Sequence, residues 1–582
     1  MADGTNHTHH AHSLEGLLRR GETRWTPLWL ALLGALLYLP GIGNVHLFDW
    51  DEINFAESAR EMILTGNFID VQINFQPFWE KPPLFSWLQV LSMSLFGVGE
   101  FGARFPNAVC GVLTLLTLYS AGKRLFPGSG FGLLWALVYT SSVLPLFYFK
   151  SGLIDPWFNL FIFLGVLHMA LYTGPHWSRR RWRHALLSAA FLGLSTLTKG
   201  PAGFLVFCLT FLAVLIVYRF KLPSGYRLFP EKGVQKTLLR DICLFLLTYA
   251  VVGGFWFILQ AATGRGELLW DNILYQIRLF RTEDAGHGGF LLYHFVIILV
   301  GVFPASLFAL PALKPSVWRE IRHREEKHVF LWMTVLLWVV LILFTIVRTK
   351  IVHYSSLAYY PVTFLAAWEL FRLLRHRSAV PRVTAWGILF VGGLFALALL
   401  ILPLTDLIKG RLIPLIRDPF VTGNLAADGG WGGWEWLIGL ILITALVLFW
   451  RKKRNAGRAA LMVFSGSLLF TFLTVLAVTP HVEAYSQRAV IDFYKERVGE
   501  DCYVRPYFRS YAQYFYTRRR PEHTLDDLER LTAGEIDKPA YFVVRNIPRD
   551  LESFLKKTRG EVTRLYDKNG FVFYRREAST KE

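Results

Sequence analysis

The chain has 582 residues, of which 53% are hydrophobic, 16% aromatic and only 18% charged, and its mean hydropathy is +0.36. Soluble domains carry about a quarter charged residues, so this composition excludes a disordered chain, a coiled coil and a disulfide scaffold, and points to an integral membrane protein with some soluble mass. The net charge of +19 would suggest a nucleic-acid binder if the chain were soluble; here membrane topology accounts for it, and no nucleic-acid partner is expected.

In chain order, residues 1–26 read as a disordered polar tail. Its His7, His9, His10 and His12 have nothing to fix them into a metal site. The first apolar run is long and lacks a small-residue cleavage site, so a cleaved signal is not expected. Apolar runs of spanning length lie at roughly 27–46, 105–124, 130–148, 156–173, 184–199, 201–219, 240–261, 290–312, 328–348, 353–373, 383–404, 435–450 and 459–479. About thirteen helices in a membrane domain of residues 27–479 put the termini on opposite sides.

Lys and Arg concentrate in the tail and in every second connection, including Arg179 to Arg181, Arg319 to Lys327 and Arg451 to Arg454. The positive-inside rule then places the N-terminus in the cytoplasm. The opposite face carries the segments 48–104, 262–289 and 405–434, in which Gly429 to Gly433 reads as a linker. It also carries residues 480–582, where composition turns charged and mixed. Strand-like runs at Cys502 to Tyr507, Ala540 to Arg545 and Gly570 to Tyr574 alternate there with helical stretches at Val482 to Arg497 and Arg549 to Lys557, which predicts a small soluble α/β domain. Cys110, Cys208, Cys243 and Cys502 suggest neither a disulfide framework nor a zinc ribbon.

Ionisable residues at a membrane surface are costly and usually functional. The first external segment opens with Asp49, Asp51 and Glu52 around Trp50. Asp51 and Glu52 suit the first turn of a helix and Gly66 its C-terminal cap, with Phe55, Ala59 and Met62 on one face. The pattern predicts an amphipathic helix lying along the interface; a solvated helix start with ordinary capping acids is the bland alternative. Crowding of the three acids should push one of them toward protonation. Further on, Trp79-Glu80-Lys81-Pro82-Pro83 presents an acid and a base from a stiff loop. Glu80 there can ligate a cation and Lys81 can hold a phosphate, or the two form a simple ion pair. Asp155, Lys199 and Lys350 stand alone at external span ends, where capping and snorkelling are the plain alternatives. His287 sits in a glycine-flanked acidic loop that can reach the first external segment.

The run Asp51-Glu52-x-x-Phe55-Ala56-Glu57-x-x-Arg60-Glu61-Met62, with Trp79-Glu80-Lys81-Pro82-Pro83-Leu84, resembles the membrane-embedded, polyprenyl-phosphate-dependent glycosyltransferases. The pattern is that of the lipid A aminoarabinose transferase group, related to protein O-mannosyltransferases. The likeness continues through Arg104-Phe105-Pro106, Leu153-Ile154-Asp155, Thr198-Lys199-Gly200, Ala285-Gly286-His287 and Thr349-Lys350-Ile351. Asn54-Phe55 stands where the family often has Arg-Tyr, and Gln276 and Leu279 replace an upstream His-and-Arg pattern.

The resemblance implies a GT-C-like multi-pass α-helical fold and an inverting transferase in the bacterial inner membrane, with its site and C-terminal domain periplasmic. The donor would be a sugar on undecaprenyl phosphate or a similar lipid, and the acceptor lipid A-like, a glycan or a protein. Asp51 would be the catalytic carboxylate. Glu80 and His287 would match a metal-binding pair for an optional divalent ion (Zn, Mg or Mn). Lys81, Lys199 and Lys350 would contact phosphate, while Glu52 and Asp155 would line the substrate cavity. No nucleotide cofactor is implied. The rival readings are a lipid or solute flippase without chemistry, which should show charges inside several spans and internal duplication, and a membrane scaffold.

Overall fold

The computed structural model describes residues 14–174, 181–220, 234–267 and 288–579, with positions 228, 270, 274 and 278 between them. Before the first apolar run, the tail is not structureless: Leu14–Gly21 forms a helix. Its Leu18 is buried against Gly130, which gives this short stretch a partner that its own length would not supply.

The membrane domain is built from helices α1 (Thr26–Tyr38), α2 (Asp51–Thr65), α3 (Leu84–Phe96), α4 (Glu100–Leu125), α5 (Phe131–Thr140), α6 (Val143–Tyr148), α7 (Asp155–Thr173), α8 (Trp182–Lys199), α9 (Ala202–Phe220) and α10 (Val234–Ala262). It continues with α11 (Tyr293–Gly301), α12 (Ala305–Ala312), α13 (Arg324–Ile346), α14 (Tyr359–Arg375), α15 (Arg382–Ile401), α16 (Thr405–Leu412), α17 (Trp436–Lys452) and α18 (Ala456–Leu473). Among the described residues, seven helices are long and apolar enough to cross a membrane, or eight where the pair α11 and α12, bent by 113°, is counted as one span. A helix lies over every expected span, but several, such as the 13-residue α1, are too short to qualify alone. Large apolar side chains recur on the outward faces: Leu32 and Leu36 on α1, Leu212 and Ile216 on α9, Leu247 and Val251 on α10, Phe390 and Leu394 on α15. Water does not tolerate so extensive an apolar surface, and lipid does. The protein is a multi-pass membrane protein.

Helix α2 departs from expectation. Its boundaries and its left-handed Gly66 cap (φ 70°) are as predicted, but the stripe expected to face lipid is covered by protein. Every residue from Glu52 to Met62 is buried. Phe55 packs on Phe85 and Ile154, and Met62 on Leu197 and Trp256, so the apolar stripe faces protein, not lipid. Helix α3 has the outward apolar side instead, through Leu91, Leu95 and Phe96.

What covers α2 is the C-terminal region. Strands β1 (Gln72–Ile73) and β2 (Gln76–Pro77) form a small hairpin after α2. The main sheet comprises β3 (Tyr503–Pro506), β4 (Ala540–Arg545), β5 (Thr563–Lys568) and β6 (Phe571–Arg576), ordered β3-β4-β6-β5, with β3 and β4 parallel and the other pairs antiparallel. The first, second and fourth of these strands match the predicted runs. The edge strand β5 was not expected, because every one of its residues is exposed and it lacks an apolar alternation. The predicted helix from Val482 to Arg497 is two shorter ones, Thr479–Ala484 and Arg488–Lys495. Strand alternation gives the sheet two apolar faces. Phe542, Val544, Val572 and Tyr574 pack on Leu531 and Phe554. Val504, Val543, Phe571 and Phe573 join one cluster with Ile53, Ala56 and Ala59 of α2.

Candidate active site

The start of α2 is fixed by Glu52. Its carboxylate is paired with Arg104 of α4 at 2.6 and 3.0 Å and accepts the backbone N–H groups of Phe48, at 2.8 Å, and of Gly152. Arg104 in turn donates to the carbonyls of Ile42, Val45 and His46. Both side chains are about 5% exposed or less. Glu52 lines the cavity, as expected, with both of its oxygens engaged by protein partners that make it a structural tie. Its neighbour Asp51 is more open, 37% exposed.

Asp51, Glu80, Lys81, Asp155 and Lys199 line one cavity of about 740 Å³. Glu80 and Lys81 come from the loop between β2 and α3, stiffened by Pro82 and Pro83. Asp155 opens α7 and Lys199 closes α8, which ends at Gly200 in a left-handed conformation (φ 89°) that a side chain would strain. Lys199 Nζ donates to Asp155 Oδ1 at 2.6 Å, with its ammonium also 5.3 Å from the Tyr354 ring centre. Burial lowers Lys81 to about 8, partly offset by Glu80, while Lys199 pushes it further down and Asp51 and Asp155 hold it up. Of the acids at positions 49, 51 and 52, Asp49 is pushed up. Burial rather than crowding is the main cause, opposed by hydrogen bonds from Ser510 and the Tyr511 N–H.

The opposite wall is apolar: Leu205 and Val206 of α9, Leu343 and Phe344 of α13, and Val347 and Ile351 beyond it. The cavity thus sets the cations Lys81, Lys199, Arg509 and Arg545 and the acids Asp49, Asp51, Glu52, Glu80 and Asp155 beside a greasy surface, an arrangement that suits a ligand with an anionic head and a hydrocarbon tail.

Two expected site residues stand elsewhere. Lys350 is buried and does not line the cavity. Its ammonium donates to the carbonyls of Phe344, Thr345 and Val347 at 2.6–2.8 Å, capping the end of α13. The expected phosphate contact is corrected accordingly. His287 lies outside the described residues, so the Glu80–His287 metal pair has only its acid in view. Among the described residues no three His, Cys, Asp or Glu side chains gather closely enough to hold a metal ion, so Glu80 fits such an ion only with further ligands.

Sequence reasoning missed several lining residues. His353, on the 3₁₀ turn Val352–Ala358, has Nε2 3.5 Å from Asp51 Oδ2 and 3.8 Å from Asp155 Oδ2. Its signal was present, a histidine beside Lys350 at a span end, but only fully charged side chains were singled out there. Phe508, Arg509 and Arg545 arrive from the C-terminal region, with the Arg509 guanidinium 4.2 Å from the Trp50 ring centre and Arg545 paired to Asp550. Nothing local in the sequence marks them, because a tertiary contact puts them there.

A family model described as dolichyl-phosphate-mannose-protein mannosyltransferase matches residues 80–226. An undecaprenyl phosphate-alpha-4-amino-4-deoxy-L-arabinose arabinosyl transferase of Pectobacterium carotovorum is 26% identical over 406 residues, 69% of this chain and 68% of the relative. Its namesake from Pseudomonas aeruginosa is 27% identical over 416 residues, 70% of each chain. The crystal structure of ArnT from Cupriavidus metallidurans bound to undecaprenyl phosphate superposes with a TM-score of 0.72, at 17% identity, over 94% of this chain and 97% of that one. In sequence over about two thirds of its length, and in fold over nearly all of it, the chain is similar to these glycosyltransferases.

Proposed function

We propose that the protein is an inverting glycosyltransferase that moves a sugar from undecaprenyl phosphate, or a similar polyprenyl phosphate, to a lipid A-like, glycan or protein acceptor. The observation that carries this reading is the convergence of Asp51, Lys81, Asp155 and Lys199 from four separate segments on one cavity with an apolar wall. The donor's phosphate leaves as an anion in a site of low dielectric, and Lys81 and Lys199 supply waiting positive charge. Asp155 holds Lys199 in place. Asp51, 37% exposed, aligns the acceptor opposite the departing phosphate, and Leu205, Phe344 and Ile351 receive the first isoprene units. A divalent ion at Glu80, completed by His287, would add Lewis-acid charge at the phosphate. The steps above are carried by side chains.

In this reading thirteen helices cross the bacterial inner membrane, the N-terminus is cytoplasmic, and the cavity with residues 480–582 faces the periplasm. The one-sided distribution of Lys and Arg supports that orientation. A flippase reading gains nothing from a cavity whose charges gather at one end. The test is incubation of the purified protein with radiolabelled undecaprenyl-phosphate sugar and membrane extract. Label should move from the carrier to an extract component, and Asp51→Asn should lower transfer by at least about 100-fold while the protein still purifies as a stable monodisperse species. Near-full transfer by that variant would remove Asp51 from the mechanism.

A further inference from the structure

His353 occupies the cavity without a role in the scheme above. The 3₁₀ turn that bears it is pinned from both sides: Ser355 Oγ lies 3.0 Å from His294 Nδ1, and Ser356 Oγ accepts from Asn159 Nδ2 at 2.6 Å. Lys350 fixes the preceding residues to the end of α13. The imidazole is thereby set between two carboxylates, Asp51 of α2 and Asp155 of α7. Its side chain is 12% exposed against 37% for Asp51, and both line the cavity. The other groups around the ring are Lys81, which acts on it electrostatically, Lys199, held by Asp155, and Tyr354, whose ring meets it edge-on at 5.4 Å.

The geometry points to His353 as the proton-storing partner of Asp51, and to an acceptor that reacts through a hydroxyl oxygen; the inference rests on the transferase reading. An imidazole, ordinarily near about 6.5, is a better resting place for a proton than a carboxylate, ordinarily near about 4; burial and Lys81 lower His353 while Asp51 raises it, so the ring is neutral before the step and free to take the proton as the phosphate leaves. In the step, the hydroxyl oxygen bonds to the anomeric carbon. The bond from that carbon to the donor phosphate oxygen breaks, and its electron pair stays on the phosphate. The hydroxyl proton passes to Asp51 and comes to rest on His353 Nε2. The phosphodiester gains one negative charge in becoming a monoester, and the imidazole gains one positive charge beside it. A phosphate acceptor, already an oxyanion, would bring no proton to store.

The experiment uses the full chain in lipid nanodiscs, radiolabelled undecaprenyl-phosphate sugar, and membrane extract with and without phosphatase treatment. Unmodified protein should label phosphatase-treated extract as well as untreated extract, with kcat/KM falling about tenfold per pH unit on its acid side. His353→Gln, which keeps an N–H near Asp51 but stores no proton, should lose that acid limb and about 100-fold in kcat, with the donor KM unchanged. An unchanged donor KM shows that the cavity is intact. The inference is overturned by a His353→Gln profile that superimposes on the unmodified one, or by loss of labelling after phosphatase. No transfer by the unmodified protein under any condition would instead overturn the transferase reading on which the inference rests.

Discussion

Residues 48–83 and 405–435 are both polar stretches between apolar helices, and both combine acids with two tryptophans. They end differently. In the later stretch each acid is engaged by protein partners. Asp406 accepts from Lys409 and Tyr485, and Asp418 caps the helix Pro419–Leu425. Asp428 accepts the Gly430 N–H, and Glu435 those of Gly432 and Trp434. Even Gly429 to Gly433, expected to be a linker, is held by Trp431, which stacks on His481 at 4.4 Å and donates to Tyr485. In the earlier stretch Glu52 is likewise engaged, but Asp51, Glu80 and Lys81 face a cavity shared with Asp155 and Lys199. Charge at a membrane surface therefore does not by itself mark a site. What marks it is charge contributed by separate helices to one enclosed space after the local hydrogen bonds have been satisfied.

The largest effect should come from undoing that satisfaction in the earlier stretch. Arg104→Ala leaves the Glu52 carboxylate buried with its cationic partner gone, a change that costs about 3–5 kcal/mol. Thermal unfolding in detergent should show a large fall in midpoint, and transfer should fall with it because the first turn of α2 carries Asp51. An Arg104→Ala protein with unaltered stability would erase the distinction between Glu52 and Asp51.

Next come two lysines that look alike in sequence. Lys199→Ala removes a charge-assisted contact to the donor phosphate worth about 1.5–3 kcal/mol, which is roughly ten- to hundredfold in donor KM. Lys350→Met should leave donor KM unchanged and lower stability by about 1–3 kcal/mol, since its three carbonyl partners at the end of α13 become unsatisfied. Equal effects of the two substitutions on donor KM would return Lys350 to the site.

Lys81 gives a pH test with a definite sign. Burial depresses it to about 8, so its ammonium form prevails below that value and is lost as pH rises through it. Donor KM should be flat from pH 6 to 7.5 and climb above pH 8. Lys81→Arg, which keeps its charge over the whole range, should hold donor KM flat to pH 9. A rise of the same size in both proteins would assign the titration to another group.

How much of this the sequence discloses follows from the kind of interaction involved. Asp51, Glu80, Lys81, Asp155 and Lys199 are legible because a charge in an apolar context, or beside a rigid Pro-Pro step, stands out locally. The existence of α2 and its Gly66 cap are legible for the same local reason. Its surroundings are not, because Phe55, Ala59 and Met62 make an apolar stripe that fits lipid and protein equally well, and only long-range partners decide between them: Phe85 and Ile154 for Phe55, the sheet face of Val504, Val543 and Phe573 for Ala59, and Leu197 and Trp256 for Met62. Glu52 and Asp51 are adjacent and chemically alike; Arg104, 52 residues away, separates their roles. Arg509 and Arg545 enter the cavity through long-range packing, and β5 hides because it is an exposed edge.

The smallest effect expected is the one that bears most directly on the comparison. Asp406 has the features that drew attention to Asp51: an acid at the start of a short helix on the same side of the membrane domain, near tryptophan and tyrosine. Its partners are Lys409 on the same helix and Tyr485 from the C-terminal region, about a quarter of each ion-pair side chain is exposed, and it does not line the cavity. Partly exposed pairs of this kind are worth about 0–1 kcal/mol. Asp406→Asn should therefore lower the unfolding midpoint by no more than a degree or two and leave kcat and donor KM within about twofold of the unmodified protein. If it instead reduced transfer as strongly as Asp51→Asn, enclosure in a shared cavity would no longer be what separates a working acid from a structural one, and the segment 405–435 would have to reach the donor or the acceptor directly.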